Sequence, residues 1–257
     1  MTRPDPAPNP ALNLALIHGW GMGRAIWSPC LAPLQEVAQL HLIDLPGYSD
    51  MPDTGQSFTE TAQSLTDTLP EGTILCGWSL GALLAMQASL LAPKHFSGLI
   101  LVGSTPCFMQ RDDWTAAQPA SLLQEFAAAV SHDSQTTLQR FVALFNRGDT
   151  DARPIGRTIA RTILSSPLPS ETTLLTGLGW LRDIDLRKRI PEIACPVRLI
   201  HGEHDPLMPA SAAHWLAGKL PQARLEIFPG AAHAPFLNAP ENFASIIGDF
   251  LHALRID

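Results

Sequence analysis

Thr73-Ile74-Leu75-Cys76-Gly77-Trp78-Ser79-Leu80-Gly81-Ala82-Leu83-Leu84 carries two secondary-structure signals back to back. Thr73 to Cys76 is a short apolar run of strand type. Leu80 to Leu91 is rich in Ala and Leu, with Met86 and Gln87, all good helix formers. The junction reads Gly77-x-Ser79-x-Gly81. A serine on a tight strand-to-helix turn is held in a strained backbone conformation with its hydroxyl exposed. The glycines on either side let the chain bend and let the helix lie close to the strand. The helix aims its amide dipoles at the turn, so negative charge developing there is stabilised. A chance match in a Gly- and Ser-containing loop would lack the flanking strand and helix. The segment therefore reads as a nucleophile elbow.

Around this elbow, strand-like and helical runs alternate. Leu14–Ile17, Leu40–Ile43, Thr73–Cys76 and Leu99–Val102 read as strands, and Ile26–Val37, Thr59–Leu69 and Leu80–Leu91 as helices. The β-α-β-α order predicts a parallel sheet flanked by helices, with strands apolar enough to be buried on both sides. From Pro106 the strand signal stops. Ser121–Val130, Thr136–Phe145, Arg153–Leu164 and Glu171–Leu181 read as four helices, broken near Asp133, Gly148 and Pro167-Leu168-Pro169. Alternation then resumes with strand Val197–Ile200, helix Ala210–Leu220, strand Leu225–Phe228 and helix Pro240–Leu254. The expectation is an α/β core over 11–105 and 190–257, mostly parallel, with a helical lid inserted over 106–189.

A chain of 257 residues with 46% hydrophobic and only 16% charged residues supports a large core rather than disorder. A net charge of -7 argues against general nucleic-acid binding, which favours a basic surface. Cys30, Cys76, Cys107 and Cys195 are scattered and form no C-x-x-C pair, so a reducing compartment is the default. Met1 to Pro10 is polar and proline-rich, without the apolar centre of a signal peptide, and no apolar run is long enough to span a bilayer. A cytoplasmic protein, away from membranes, is expected.

A serine hydroxyl needs a base that is itself held by a carboxylate. Both should lie in loops beyond strand C-termini, the edge that carries the site in open parallel sheets. The loop after Val197–Ile200, His201-Gly202-Glu203-His204-Asp205-Pro206, offers Asp205. The loop after Leu225–Phe228, Pro229-Gly230-Ala231-Ala232-His233-Ala234-Pro235-Phe236, offers His233. Taken singly, an Asp before Pro is a turn residue and a His among Gly and Ala a solvated side chain. In the chain order Ser79, Asp205, His233, behind an elbow, they form a catalytic set. Glu203 is the competing carboxylate; His201 and His204 are competing imidazoles, badly placed on the acid's own loop. Two backbone N–H groups must face the oxyanion. Leu80 supplies one. Trp20, in the turn His18-Gly19-Trp20-Gly21-Met22-Gly23, is the choice for the other. The indoles of Trp20 and Trp78 either line the pocket or pack in the core.

Rival readings come from other classes. Gly19-x-Gly21 with Asp44 further on mimics a dinucleotide-binding fingerprint and an oxidoreductase, but Arg24 stands where its third glycine belongs. His201-x-x-His204 has metal-pair spacing without an evident third ligand. A non-catalytic binding protein on the same scaffold would usually have lost a member of the set, and none is missing.

These residues resemble the α/β-hydrolase family, from about Leu14 to the C-terminus. Within it, His18-Gly19-Trp20-Gly21, Asp44-Leu45-Pro46-Gly47, Ser104-Thr105-Pro106-Cys107-Phe108, Arg111-Asp112-Asp113-Trp114, Arg140-Phe141-Val142-Ala143-Leu144, Asp185-Leu186-Arg187 and Ala231-Ala232-His233-Ala234-Pro235-Phe236 are similar to the methyl ester esterases of biotin synthesis. The resemblance implies Ser79 as nucleophile, His233 as base, Asp205 as its orienting partner, and Trp20 and Leu80 as oxyanion donors. It implies that Phe141, Val142, Ala143, Leu144 and Phe145 line an acyl channel under the lid. The implied reaction is hydrolysis of a pimeloyl methyl ester carried on acyl-carrier protein, by a monomer, with no metal or organic cofactor. The alternative is a general short-chain carboxylesterase with the same residues. Two departures stand out. Met1–Pro10 replaces the usual extra N-terminal strands, and the common x-Gly pair after Gly47 reads Tyr48-Ser49.

Arg153, Arg157 and Arg161 fall at i, i+4 and i+8 on one predicted helix, with Arg140 and Arg147 nearby in sequence. Like charges on one face destabilise a helix modestly. A basic face on an acidic protein is either a solvated surface or a docking surface for an acidic partner. In the resembled esterases, arginines matching Arg140, Arg153 and Arg157 contact the carrier protein.

Overall fold

Among the described residues, six strands run parallel in the order β2-β1-β3-β4-β5-β6. They are β1 (Asn13–Ile17), β2 (Gln39–Ile43), β3 (Thr73–Trp78), β4 (Phe96–Val102), β5 (Val197–Gly202) and β6 (Ala223–Phe228). The computed structural model describes residues 12–164 and 167–256, so the expectation for Met1–Pro10 falls outside the described residues. The register aligns the strand ends that matter: Ile17 with Gly77, Trp78 with Val102, Val102 with Ile200, and Gly202 with Phe228. Burial on both sides holds for the inner strands. The two edge strands, β2 and β6, are largely half-exposed, because each has a neighbour on one side only.

The helices are α1 (Leu31–Gln35), α2 (Phe58–Thr68), α3 (Leu80–Leu91), α4 (Ala120–His132), α5 (Ser134–Phe145), α6 (Ala152–Leu164), α7 (Glu171–Asp183), α8 (Ala210–Lys219), α9 (Pro235–Asn238) and α10 (Pro240–Ala253). Their starts follow local chemistry. Ser57 and Glu60 form a reciprocal capping box at α2, and Asp133 and Ser170 accept from the Thr136 and Thr173 N–H groups at α5 and α7. The single helix expected over Ile26–Val37 is instead a 3-10 turn, Arg24–Cys30, followed by the short α1. Pro29 and Pro33 each remove a backbone donor there, so a regular i to i−4 ladder cannot run through.

α3 is apolar all round and buried from Leu80 to Leu90. Each of its fully buried leucines contributes about 1.5–3 kcal/mol relative to exposure. It packs on β1, β3, β4 and α2, so the elbow at its start rests on the centre of the core. The four helices α4 to α7 lie in sequence between β4 and β5. Among the described residues no helix is long and apolar enough to cross a membrane.

Candidate active site

Ser79 has φ +58° and ψ −117°, a conformation that non-glycine residues rarely adopt. The tight geometry explains its neighbours. A Cβ at Gly77 would collide with the Gly81 carbonyl, and one at Gly81 with the carbonyls of Ile17 and His18. The first turn of α3 therefore lies directly against the ends of β3 and β1. Ser79 N–H donates to Val102 O at 3.0 Å, which ties the elbow to β4. Leu80 is the first residue of α3, so its N–H has no carbonyl within the helix to bond and is left for a ligand.

His233 and Asp205 meet across the ends of β5 and β6. His233 Nδ1 lies 2.7 Å from Asp205 Oδ2, and both side chains are fully buried. The carboxylate accepts, so Nδ1 carries the proton and Nε2 keeps a lone pair. That Nε2 is buried with no hydrogen-bond partner among the described residues. Asp205 Oδ1 accepts from the N–H groups of Leu207 and Met208 at 2.9 and 2.8 Å. Burial pushes the Asp205 carboxyl up, but His233, His201 and the Met208 amide outweigh it and hold it below its ordinary value. Trp78 joins the two halves. Its indole N–H donates to His233 O at 2.8 Å and its ring centroid lies 5.4 Å from the imidazole, one residue before Ser79.

The rival groups are engaged elsewhere. Glu203 accepts from Gly230 N–H at 3.0 Å and faces solvent. His201 is buried with Nε2 2.7 Å from Met208 O and 3.5 Å from Asp205 Oδ2. Burial lowers its pKa against the pull of Asp205 and the Met208 carbonyl. His204 is half-exposed, 3.8 Å from Glu203. Asp44, the acidic residue of the dinucleotide-like pattern, accepts from Arg24 N–H at 2.7 Å and pairs with Arg24 Nε at 3.2 Å.

Sequence reasoning missed the residues that fix the turn after β1. His18 is fully buried; its Nε2 accepts Leu45 N–H at 3.1 Å and its Nδ1 lies 2.7 Å from Gly19 O, so the proton sits on Nδ1. Burial lowers its pKa to about 4, against the Gly19 carbonyl and Asp44. Tyr48 OH accepts Gly21 N–H at 2.9 Å and its ring tilts on His18. The Tyr48-Ser49 departure thus has a use: Tyr48 holds the turn, and Ser49 takes the left-handed φ of +51° that a glycine would adopt more easily. Trp20 is buried, with its indole N–H donating to Leu174 O of α7 at 2.8 Å.

An edge-on aromatic wall runs from this turn to the imidazole. Trp20 meets Phe141 at 4.9 Å, Phe141 meets Phe145 at 5.2 Å, and Phe145 meets His233 at 6.1 Å and Trp78 at 5.6 Å. Phe141 and Phe145 therefore face the site. Val142 and Ala143 instead line a groove of about 640 Å³ between α5 and α6, together with Arg147, Arg153 and Arg157, and Leu144 packs half-buried on the core. That groove lies outside the wall. A cavity of about 10 Å³ lies beside Leu80, lined also by Tyr48, Gly177 and Trp180, so α7 packs against the first turn of α3 there. Arg140, Arg147, Arg153, Arg157 and Arg161 are all exposed, and none makes an ion pair among the described residues.

A buried imidazole with its Nδ1 proton on a carboxylate can take a hydroxyl proton at Nε2. A strained serine at a helix start, next to the Leu80 amide, supports acyl transfer through an oxyanion. Comparison with known proteins agrees with this chemistry. The pimeloyl-[acyl-carrier protein] methyl ester esterase of Nitrosomonas europaea is 38% identical over 234 residues, covering 91% of this chain and 93% of that protein. The protein of the same name from Aromatoleum aromaticum is 36% identical over 254 residues, covering 97% and 98%. An esterase structure from Exiguobacterium antarcticum superposes with a TM-score of 0.85 at 23% identity, covering 95% of this chain and 92% of that one, a likeness of fold. The model of the alpha/beta hydrolase family matches residues 14–246, and the chain belongs to that family.

Proposed function

We propose that this chain is a serine carboxylesterase that hydrolyses the methyl ester of pimeloyl-[acyl-carrier protein], releasing methanol and the free acid on the carrier, for biotin synthesis. The observation that carries the chemistry is the buried His233–Asp205 pair, 2.7 Å apart, with Nε2 unpartnered among the described residues and with the ring of Trp78, the residue before the strained Ser79, 5.4 Å from the imidazole. The substrate comes from the shared name of relatives that match nearly the whole chain.

In this reading His233 Nε2 takes the Ser79 hydroxyl proton as Oγ attacks the ester carbonyl. The N–H groups of Trp20 and Leu80 hold the oxyanion. His233 then protonates the departing methoxide, and a water activated by the same imidazole resolves the acyl-enzyme. The residues of the chain suffice for these steps. The helices α4 to α7 act as a lid over 106–189, with the core at 11–105 and 190–257. Phe141 and Phe145 supply the inner wall of the acyl channel. The Trp20 indole is bonded to Leu174 O and Gly177 lies on its ring, so in this reading α7 moves away from Trp20 as the acyl chain enters. The exposed Arg140, Arg153 and Arg157 form the docking face for the acidic carrier, approached by a monomeric enzyme in the cytoplasm.

The test is a competition between pimeloyl methyl ester on its carrier and the same ester free in solution. The proposal expects kcat/KM to favour the carrier-bound form by at least about tenfold, or 1.4 kcal/mol. Equal values on both would return the chain to the general short-chain esterases.

A further inference from the structure

The loop that delivers His233 is held mostly from outside itself. Gly230 N–H donates to Glu203, and Gly230 O accepts Thr150 N–H at 3.0 Å. Ala231 O accepts His204 N–H at 2.9 Å, and His233 N–H donates to Phe145 O at 3.2 Å. His233 O accepts the Trp78 indole N–H. Ala231 N–H returns to Phe228 O at 3.3 Å, and Ala232 N–H donates to Asp149 Oδ2 at 2.9 Å. Three of these holds, Phe145 O, Thr150 N–H and the Asp149 carboxylate, come from the end of α5 and the turn leading to α6.

Asp149 is itself nearly buried and well anchored. Its Oδ1 accepts from Asp151 N–H at 2.8 Å and from Asn238 Nδ2 at 2.8 Å. Asn238 ends α9, the short helix that follows His233. The carboxylate thus bridges the residue before the imidazole to the helix after it, from a turn of the inserted segment. Ala232 is fully buried, so losing this acceptor would leave its N–H without a partner.

We propose that Asp149 is a positioning residue for His233: its carboxylate clamps Ala232 and Asn238, and so holds the imidazole against Asp205 only while the inserted helices are seated. The inference rests on the reading of Ser79, His233 and Asp205 given above. A carboxylate suits the position because three N–H groups converge on it and it offers acceptors only. Asparagine has the same shape but must turn its own NH2 toward at least one of them.

The experiment compares wild type with Asp149→Asn on a small soluble methyl ester, with active sites titrated by a fluorophosphonate. The expected result is a kcat per labelled site lowered about tenfold, since small misplacements of a catalytic group carry costs of this size or larger. KM stays within about twofold, as substrate contacts are untouched. If Asp149→Asn does not give folded protein, Asp149→Ser takes its place with the same expectation, as it sets no amide donor against Ala232 N–H. A wild-type kcat per labelled site overturns the proposal, even where thermal stability falls. Ser79→Ala, run alongside, separates the two levels. Turnover surviving in Ser79→Ala sinks the assignment of the nucleophile. An inactive Ser79→Ala beside a wild-type-like Asp149→Asn sinks the clamp alone.

Discussion

The Trp20 indole N–H donates to the Leu174 carbonyl across 2.8 Å, linking the turn after β1 to α7, 154 residues further along the chain. The proposed oxyanion loop and the helix that closes over it are therefore one packed unit. Gly177, one turn after Leu174, lies directly on the Trp20 ring, where a Cβ would come within 2.6 Å of it. In the proposed reading, a substrate entering beneath α7 breaks this contact.

Trp20→Phe keeps the backbone amide and much of the ring while removing the donor. The Leu174 carbonyl loses its indole partner but keeps its place in the α7 ladder, a cost of about 0.5–1.5 kcal/mol. The expected outcome is a melting temperature lowered by several degrees and a kcat on a soluble ester reduced about threefold to tenfold, because the amide is less firmly aimed. Thermal melts and steady-state kinetics on the same preparation check both.

Asp205→Asn should leave the fold intact and lower kcat on the order of 10³- to 10⁴-fold, since an amide at this position favours the wrong imidazole tautomer. Glu203→Gln, on the same loop but facing solvent, should stay within about twofold of wild type. Steady-state kinetics of the pair distinguishes the two carboxylates, and the reverse ranking would contradict the geometry.

Much of this was legible in the sequence because the elbow couples a strand, a turn and a helix whose signals are local. The ends of α5 and α7 came within a few residues for the same reason: the breaks near Asp133, Gly148 and Pro167-Leu168-Pro169 are written in the chain. Asp205 and His233 could be chosen because each follows an apolar strand. The residues that hold the site were not legible. Asp149 looks like any acidic turn residue, since its partner Ala232 is 83 positions away. His18 and Tyr48 act through backbone amides 27 positions off, and such partners leave no side-chain pattern to read. α9 was missed because Pro235 falls in the loop that carries His233, where it reads as loop punctuation rather than as the first position of a helix.

His18 gives the fold a dependence on pH. Its pKa is lowered on folding from 6.5 to about 4, chiefly by burial, so the unfolded chain takes up the proton more readily. Its stabilising contribution is complete above about pH 6.5 and is lost as pH falls toward 4. The gap corresponds to about 3 kcal/mol. His201, also lowered by burial, adds in the same direction. In urea titrations, wild type should lose more stability between pH 7 and 4.5 than His18→Gln, by about 2–3 kcal/mol. Parallel losses would show that His18 does not titrate as the buried ring requires.

Arg157 lies on the exposed face of α6, at the groove between α5 and α6. Arg157→Glu should raise KM for the carrier-bound ester roughly tenfold while leaving a small soluble ester nearly unchanged. The difference should shrink as salt is added, because exposed charges are screened. Equal losses on both substrates would remove the docking role.

The most direct measurement is mass spectrometry of the folded protein after reaction with a fluorophosphonate. The account predicts one adduct, on the peptide carrying Ser79, formed rapidly in wild type and absent in Ser79→Ala, with turnover lost in step. Folded protein that hydrolyses the ester while Ser79 stays unlabelled would contradict it.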